Sequence, residues 1–130
     1  MKLLIAFGTD DGENLNNDHV GMAEYFYFHE FSNGKEQFIE RRENIHINES
    51  DAKHGDPEKA KATSSAIEGA DVLVGKKFGH NLVRLLKKFV CIVAKTDTIA
   101  SAIELVHNNM DSIVTEKNKL EGRKHIVLRV

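Results

Sequence analysis

The chain has 130 residues, 41% of them hydrophobic and 29% charged, a balance that suits one globular unit with a core of its own. Eighteen basic against 20 acidic side chains leave a net charge of −2, which removes the broad phosphate attraction on which non-specific nucleic-acid binding depends. A single cysteine excludes an internal disulfide framework and any multi-cysteine zinc site.

Residues 2–7 form a short apolar run ended by Gly8, the pattern of a strand buried on both faces. The run is at the lower edge of a signal-peptide core and no small-residue cleavage site follows it, and nowhere do 18 apolar residues follow one another. The expectation is therefore a cytoplasmic chain without a membrane partner. Residues 9–20 are rich in Asp, Asn and Gly and predict a loop. Residues 25–31 are dense in aromatics and predict a strand; Asn33-Gly34 supplies a hairpin turn, and 37–43 return as a polar edge strand.

The second half changes period. Asp56-Pro57 reads as a cap and first turn of a helix running to about Glu68, with Ala60, Thr63 and Ile67 inward. Residues 72–74 predict a buried strand ending at Gly75. Phe78, Leu82, Leu85, Leu86 and Phe89 make a helical stripe, and 90–94 another buried strand. Thr98 caps a third helix with Ile99, Ala102, Ile103 and Val106 on one face. The order β-β-β-α-β-α-β-α predicts a mixed α/β sheet with one antiparallel strand and helices on its faces. Residues 108–130 read as a charged extension, of which 125–130 have the pattern of one further strand.

In an open α/β sheet, ligands collect beyond the carboxyl ends of the parallel strands. Three segments that could meet there each carry one histidine: His19 in 8–20, His54 in 51–56 and His80 in 75–81. Imidazole is a frequent ligand for zinc, copper, nickel and iron, and Asp10, Asp11, Asp18 and Asp56 are candidate supporting groups. Spacing alone favours exposed loop histidines over ligands, because no tight motif such as His-Glu-x-x-His is present. His29 reads as a packed or edge residue, and His46, His107 and His125 as surface positions. Protonating all seven histidines would carry the net charge from −2 to +5. Cys91, between Val90 and Ile92, reads as a small core hydrophobe. The Gly75–Asn81 turn, with Lys76 and Lys77, offers an anion seat or a plain strand-to-helix turn with equal weight.

Three stretches resemble the nitrogenase iron–molybdenum cofactor biosynthesis family, of the NifX/NifB-C-terminal type. They are Asn17-Asp18-His19-Val20-Gly21-Met22-Ala23-Glu24-Tyr25-Phe26, the Gly69–Gly75 segment with Phe78-Gly79, and Thr98-Ile99-Ala100-Ser101-Ala102-Ile103. The resemblance spans residues 1–107 and implies a ribonuclease H-like fold. It also implies a non-catalytic carrier of an iron–sulfur or iron–molybdenum-type cluster, with donor and acceptor proteins as partners. The resemblance carries over His19 as a metal ligand and Gly75 and Gly79 as its glycine loop, with His54 an approximate match. His80, which has no counterpart in its motifs, joins the metal ligands, and Asp10 the cofactor-binding residues, from their place at the rim. Val20 stands where the family has phenylalanine, and Lys76-Lys77 interrupt its glycine loop.

Two other readings stay open at this stage. A protein–protein interaction module without metal would use the aromatic strand at 25–31, a surface that would also allow a homodimer. A metal-dependent nuclease needs converging carboxylates, yet the first strand has none and Asp10 and Asp71 fall at the wrong ends.

Overall fold

The structure, a computed structural model, describes residues 2–45 and 57–130. Its elements are β1 (Lys2–Thr9), β2 (Tyr25–Ser32), β3 (Lys35–Glu43), α1 (Pro57–Ala66), β4 (Val72–Gly75), α2 (Leu82–Leu86), β5 (Val90–Lys95), α3 (Ile99–His107), α4 (Met110–Lys117) and β6 (Ile126–Arg129). A single 3-10 turn, Val20–Met22, precedes β2. The six strands form one sheet in the order β3-β2-β1-β4-β5-β6. β2 runs antiparallel to both its neighbours, while β1, β4, β5 and β6 pair in parallel. This is the ribonuclease H-like mixed sheet expected, with one antiparallel strand.

Alternation of side chains splits the core into two layers. On one face Leu3, Ile5, Phe7, Val72, Val74, Val90 and Ile92 pack under α3 and α4, through Ala102, Val106 and Ile113. On the other, Ala6, Phe26, Phe28, Leu73 and Cys91 pack under α1 and α2, through Ala66, Ile67 and Leu85. Thr98 Oγ1 accepts the Ser101 N–H at 3.0 Å and starts α3 as its sequence predicts. The hairpin turn has positive φ at Asn33 (53°) and Gly34 (76°), the backbone that an Asn-Gly pair tolerates best. Arg42 Nη1 closes the end of α1, donating to Glu68 O at 2.7 Å.

Two elements depart from the expected order. The helical stripe at 78–89 yields only Leu82–Leu86, because the backbone before it pairs with another loop: Lys77 O accepts the Val20 N–H at 2.8 Å. The charged stretch after 107 holds α4, anchored by fully buried Ile113. β6 then pairs with β5 and buries Leu128, so both add to the sheet and its core.

β3 is an edge strand with a bulge opposite the Phe28/His29 step and charges at Lys35, Glu36, Glu40, Arg41, Arg42 and Glu43. Bulges and edge charges discourage pairing with a further strand. His29, expected to be packed, is buried. Its Nδ1 meets Glu36 Oε2, and its ring stands edge-on to Phe7 and Phe38.

Candidate functional site at the carboxyl rim

The loop at 9–20 wires itself into one shape. Thr9 Oγ1 accepts from Gly12 N at 2.9 Å and donates to Asn14 O. Asp11 Oδ1 accepts from Glu13 N (2.9 Å) and Asn14 N (2.8 Å), and these backbone donors lower its pKa to about 2. Asn16, buried, donates through Nδ2 to His19 O at 2.9 Å and Asp18 O at 3.1 Å. Asp18 Oδ1 accepts from His19 N at 2.7 Å. The loop is also tied to the β5–α3 turn, by Leu15 N to Asp97 O (2.8 Å) and Ile99 N to Glu13 O (2.9 Å).

Three glycines seat the end of this loop. A Cβ on Gly75 would lie 2.6 Å from both Cβ and Cγ2 of Val20, and one on Gly8 would lie 2.8 Å from Val20 Cγ2. Val20 is thus clamped between the carboxyl ends of β1 and β4. A Cβ on Gly79 would lie 2.6 Å from His19 Nδ1, so the imidazole rests against backbone that only glycine leaves bare. His19 itself is exposed, and so is His80, the residue after its glycine seat. His54 lies outside the described residues, as do His46 and Asp56.

Lysine 76 binds the rim together. Its Nζ lies 2.7 Å from Asp97 Oδ1 and donates to Asn17 Oδ1 at 2.9 Å, linking the loops after β1, β4 and β5. On either side of this bridge opens a shallow groove. One, of about 380 Å³, is walled by Asp10, Asp11, Asn14 and Asn17; the other, of about 540 Å³, by Lys77, Lys95 and Thr96. Asp10 also accepts from Glu24 N at 3.0 Å, fixing the start of β2.

Sequence reasoning placed His19 and Gly75 at the rim but missed the Val20 clamp and the Lys76–Asp97 bridge. The signal for the clamp is the pair of glycines that close the first two parallel strands. Cys91 plays no part at the rim: it is buried within the sheet, and burial pushes its thiol up to about 12. Among the described residues no three His, Cys, Asp or Glu side chains come close enough to hold a metal ion. Asp71 stands at the amino end of β4, accepting from Leu4 N at 2.9 Å and pairing with Lys117 at 3.3 Å. It is remote from the rim and serves the fold. Among the described residues no helix is long and apolar enough to cross a membrane.

These features define a ribonuclease H-like α/β domain with a glycine-seated histidine at its carboxyl rim. The chain belongs to the dinitrogenase iron–molybdenum cofactor family, whose model matches residues 1–109. It is similar in fold to a crystal structure, at 1.70 Å, of a candidate dinitrogenase from Methanocaldococcus jannaschii. The two share 14% identity over 84% of this chain and 91% of that one, with a TM-score of 0.57. No curated protein matches the chain.

Proposed function

We propose that the chain is a non-catalytic carrier. It takes an iron–sulfur or iron–molybdenum-type cluster from a donor protein in the cytoplasm and yields it to an acceptor. The observation that carries this reading is His19: an exposed imidazole lying against Gly79, on a backbone held by Asn16 and Asp18, at the rim where ligands of open α/β sheets gather. His80, which follows Gly79 in the chain, and His54, which precedes α1 in the sequence, are the further imidazoles of this reading. Gly75 and Gly79 contribute by keeping the His19–Val20 step in place, and Asp10 by holding the start of β2 against the loop.

The donor set suits cargo. The one cysteine, Cys91, is buried, so ligation at the rim falls to imidazole and leaves the remaining sites to ligands the cluster brings with it. Exposed Lys77 and Lys95, beside the histidine loop, favour the negative charge such a cluster carries.

Anaerobic reconstitution with iron and sulfide, followed by metal analysis and an absorption spectrum, tests the reading. The wild-type chain should retain iron and sulfide, and the His19→Ala/His54→Ala double variant should lose both while keeping its circular dichroism. Equal loading of the two proteins would sink the proposal.

A further inference from the structure

At the opposite end of the sheet lies a further groove, of about 400 Å³, lined mainly by apolar atoms. Val83 and Leu86 on α2 form one wall, and Leu120, Gly122 and Arg123 on the turn after α4 form the other. We propose that this groove is a docking site for an acidic amphipathic helix of a partner protein. The inference stands independently of the cargo reading.

The groove presents apolar side chains that the isolated chain does not use. Leu120 is fully exposed, at 103%, and Val83 is 69% exposed. Burying such side chains is favourable, and here that burial is left for a partner to supply.

The turn that carries Leu120 is held in place. Glu116, at the end of α4, accepts from Lys119 Nζ at 2.7 Å through one carboxylate oxygen and from Lys124 N at 3.1 Å through the other. Arg123 donates to Glu116 O at 3.2 Å and Lys117 O at 3.0 Å. Gly122, at φ +73°, makes the bend. Leu120 therefore projects from an ordered turn. That lowers the entropy lost on docking.

Charge selects the occupant. The two walls, 82–88 and 116–124, carry seven cations against two acids, Glu121 and the Glu116 that Lys119 engages, in a chain whose net charge is −2. A second copy would set these cations against themselves, which like-charge repulsion disfavours. An amphipathic helix that lays apolar side chains into the groove and offers carboxylates to its margins matches both features. The groove precedes β5 and β6 in the chain and so opens at the amino ends of the parallel strands. A docked partner would leave the carboxyl rim clear.

The test is an amide-resolved NMR titration of the full chain with a synthetic amphipathic peptide of about four helical turns, leucine on one face and glutamate on the other. Saturable shifts confined to 82–88 and 118–124 are expected. The Val83→Asp/Leu120→Asp and Lys87→Glu/Lys88→Glu variants should each bind roughly tenfold or more weakly while keeping wild-type spectra elsewhere. Absence of saturable shifts in those segments would overturn the proposal. So would an equal response to the peptide with lysine in place of glutamate, or preferential binding of phosphatidylglycerol vesicles through the same residues.

Discussion

The two ends of the sheet each organise a turn around one carboxylate, by different means. At the carboxyl rim Asp11 accepts backbone N–H groups from Glu13 and Asn14, bonds whose geometry the chain itself imposes. At the amino end Glu116 relies first on the Lys119 ammonium and then on the Lys124 backbone. The rim is further locked by side chains filling the space over glycines, whereas the other end leaves Val83 and Leu120 in solvent. One end has a backbone fixed by its own hydrogen bonds and close contacts. The other has spare apolar surface whose removal costs the fold nothing.

The largest effect should come from disturbing the clamp. Gly75→Ala puts a methyl 2.6 Å from Val20 Cβ, and a β-branched residue rooted in a short turn cannot rotate away from a contact at its own Cβ. The expected loss is about 1–3 kcal/mol in urea unfolding, the range for overpacked sites. A double-mutant cycle with Val20→Gly should show coupling above about 0.5 kcal/mol. Strict additivity would mean that the two positions do not oppose each other.

Gly79→Ala tests the neighbouring contact and should behave differently. Its methyl would meet the His19 ring, the far end of an exposed side chain that can swing into solvent. Stability should fall by less than about 1 kcal/mol, the scale of a single off-rotamer side chain. Iron retention after reconstitution should fall clearly. A loss of stability equal to that of Gly75→Ala would show that the contact braces the backbone instead of orienting the ring.

Strands were legible in the sequence wherever an apolar run met a glycine, as at 2–7 and 72–74, and the parallel sheet followed from their alternation with helices. The helix α4 was not. Its sequence, Met-Asp-Ser-Ile-Val-Thr-Glu-Lys, offers one fully buried residue, Ile113, and a single anchor makes no periodic stripe. The stripe at 78–89 was over-read because side-chain spacing says nothing of the backbone bond from Val20 to Lys77. At the rim His19 was visible as a residue type in a loop. Its seat was not, since the space over Gly79 belongs to a different segment from the ring that fills it. The exposed leucine at 120 was hidden in a charged run, and only the fold puts Val83 across from it.

Acid separates the two carboxylates. Both are held below their ordinary values, Asp11 at about 2 through backbone donors and Glu116 through Lys119. A depressed folded-state pKa gives stability that is present above the unfolded value and lost as pH falls through the folded one. For Asp11 that window runs from 3.8 down to about 2, and for Glu116 it lies below 4.5. The urea midpoint followed down through these values should decline less steeply in Asp11→Asn and in Glu116→Gln than in the wild type. Added salt should weaken the Glu116 contribution, which rests first on the ion pair with the Lys119 ammonium, more than that of Asp11, which rests on backbone N–H groups. Equal salt sensitivity would erase the distinction between the two turns.

The smallest effect is the sharpest test of the contrast. Val83→Ser and Leu120→Ser remove apolar groups that the free chain leaves 69% and 103% exposed, so folding gains almost nothing from them. Each variant should unfold within about 0.5 kcal/mol of wild type, as surface substitutions without buried partners do. A loss of 1 kcal/mol or more, beyond that surface range, would mean that the turn after α4 closes onto α2 in solution. The apolar groove would then belong to the core. With the small loss expected, the molecule keeps Leu120 outside at no cost to itself, on a turn that Glu116 and Gly122 hold still, and its apolar surface stays available to a second protein.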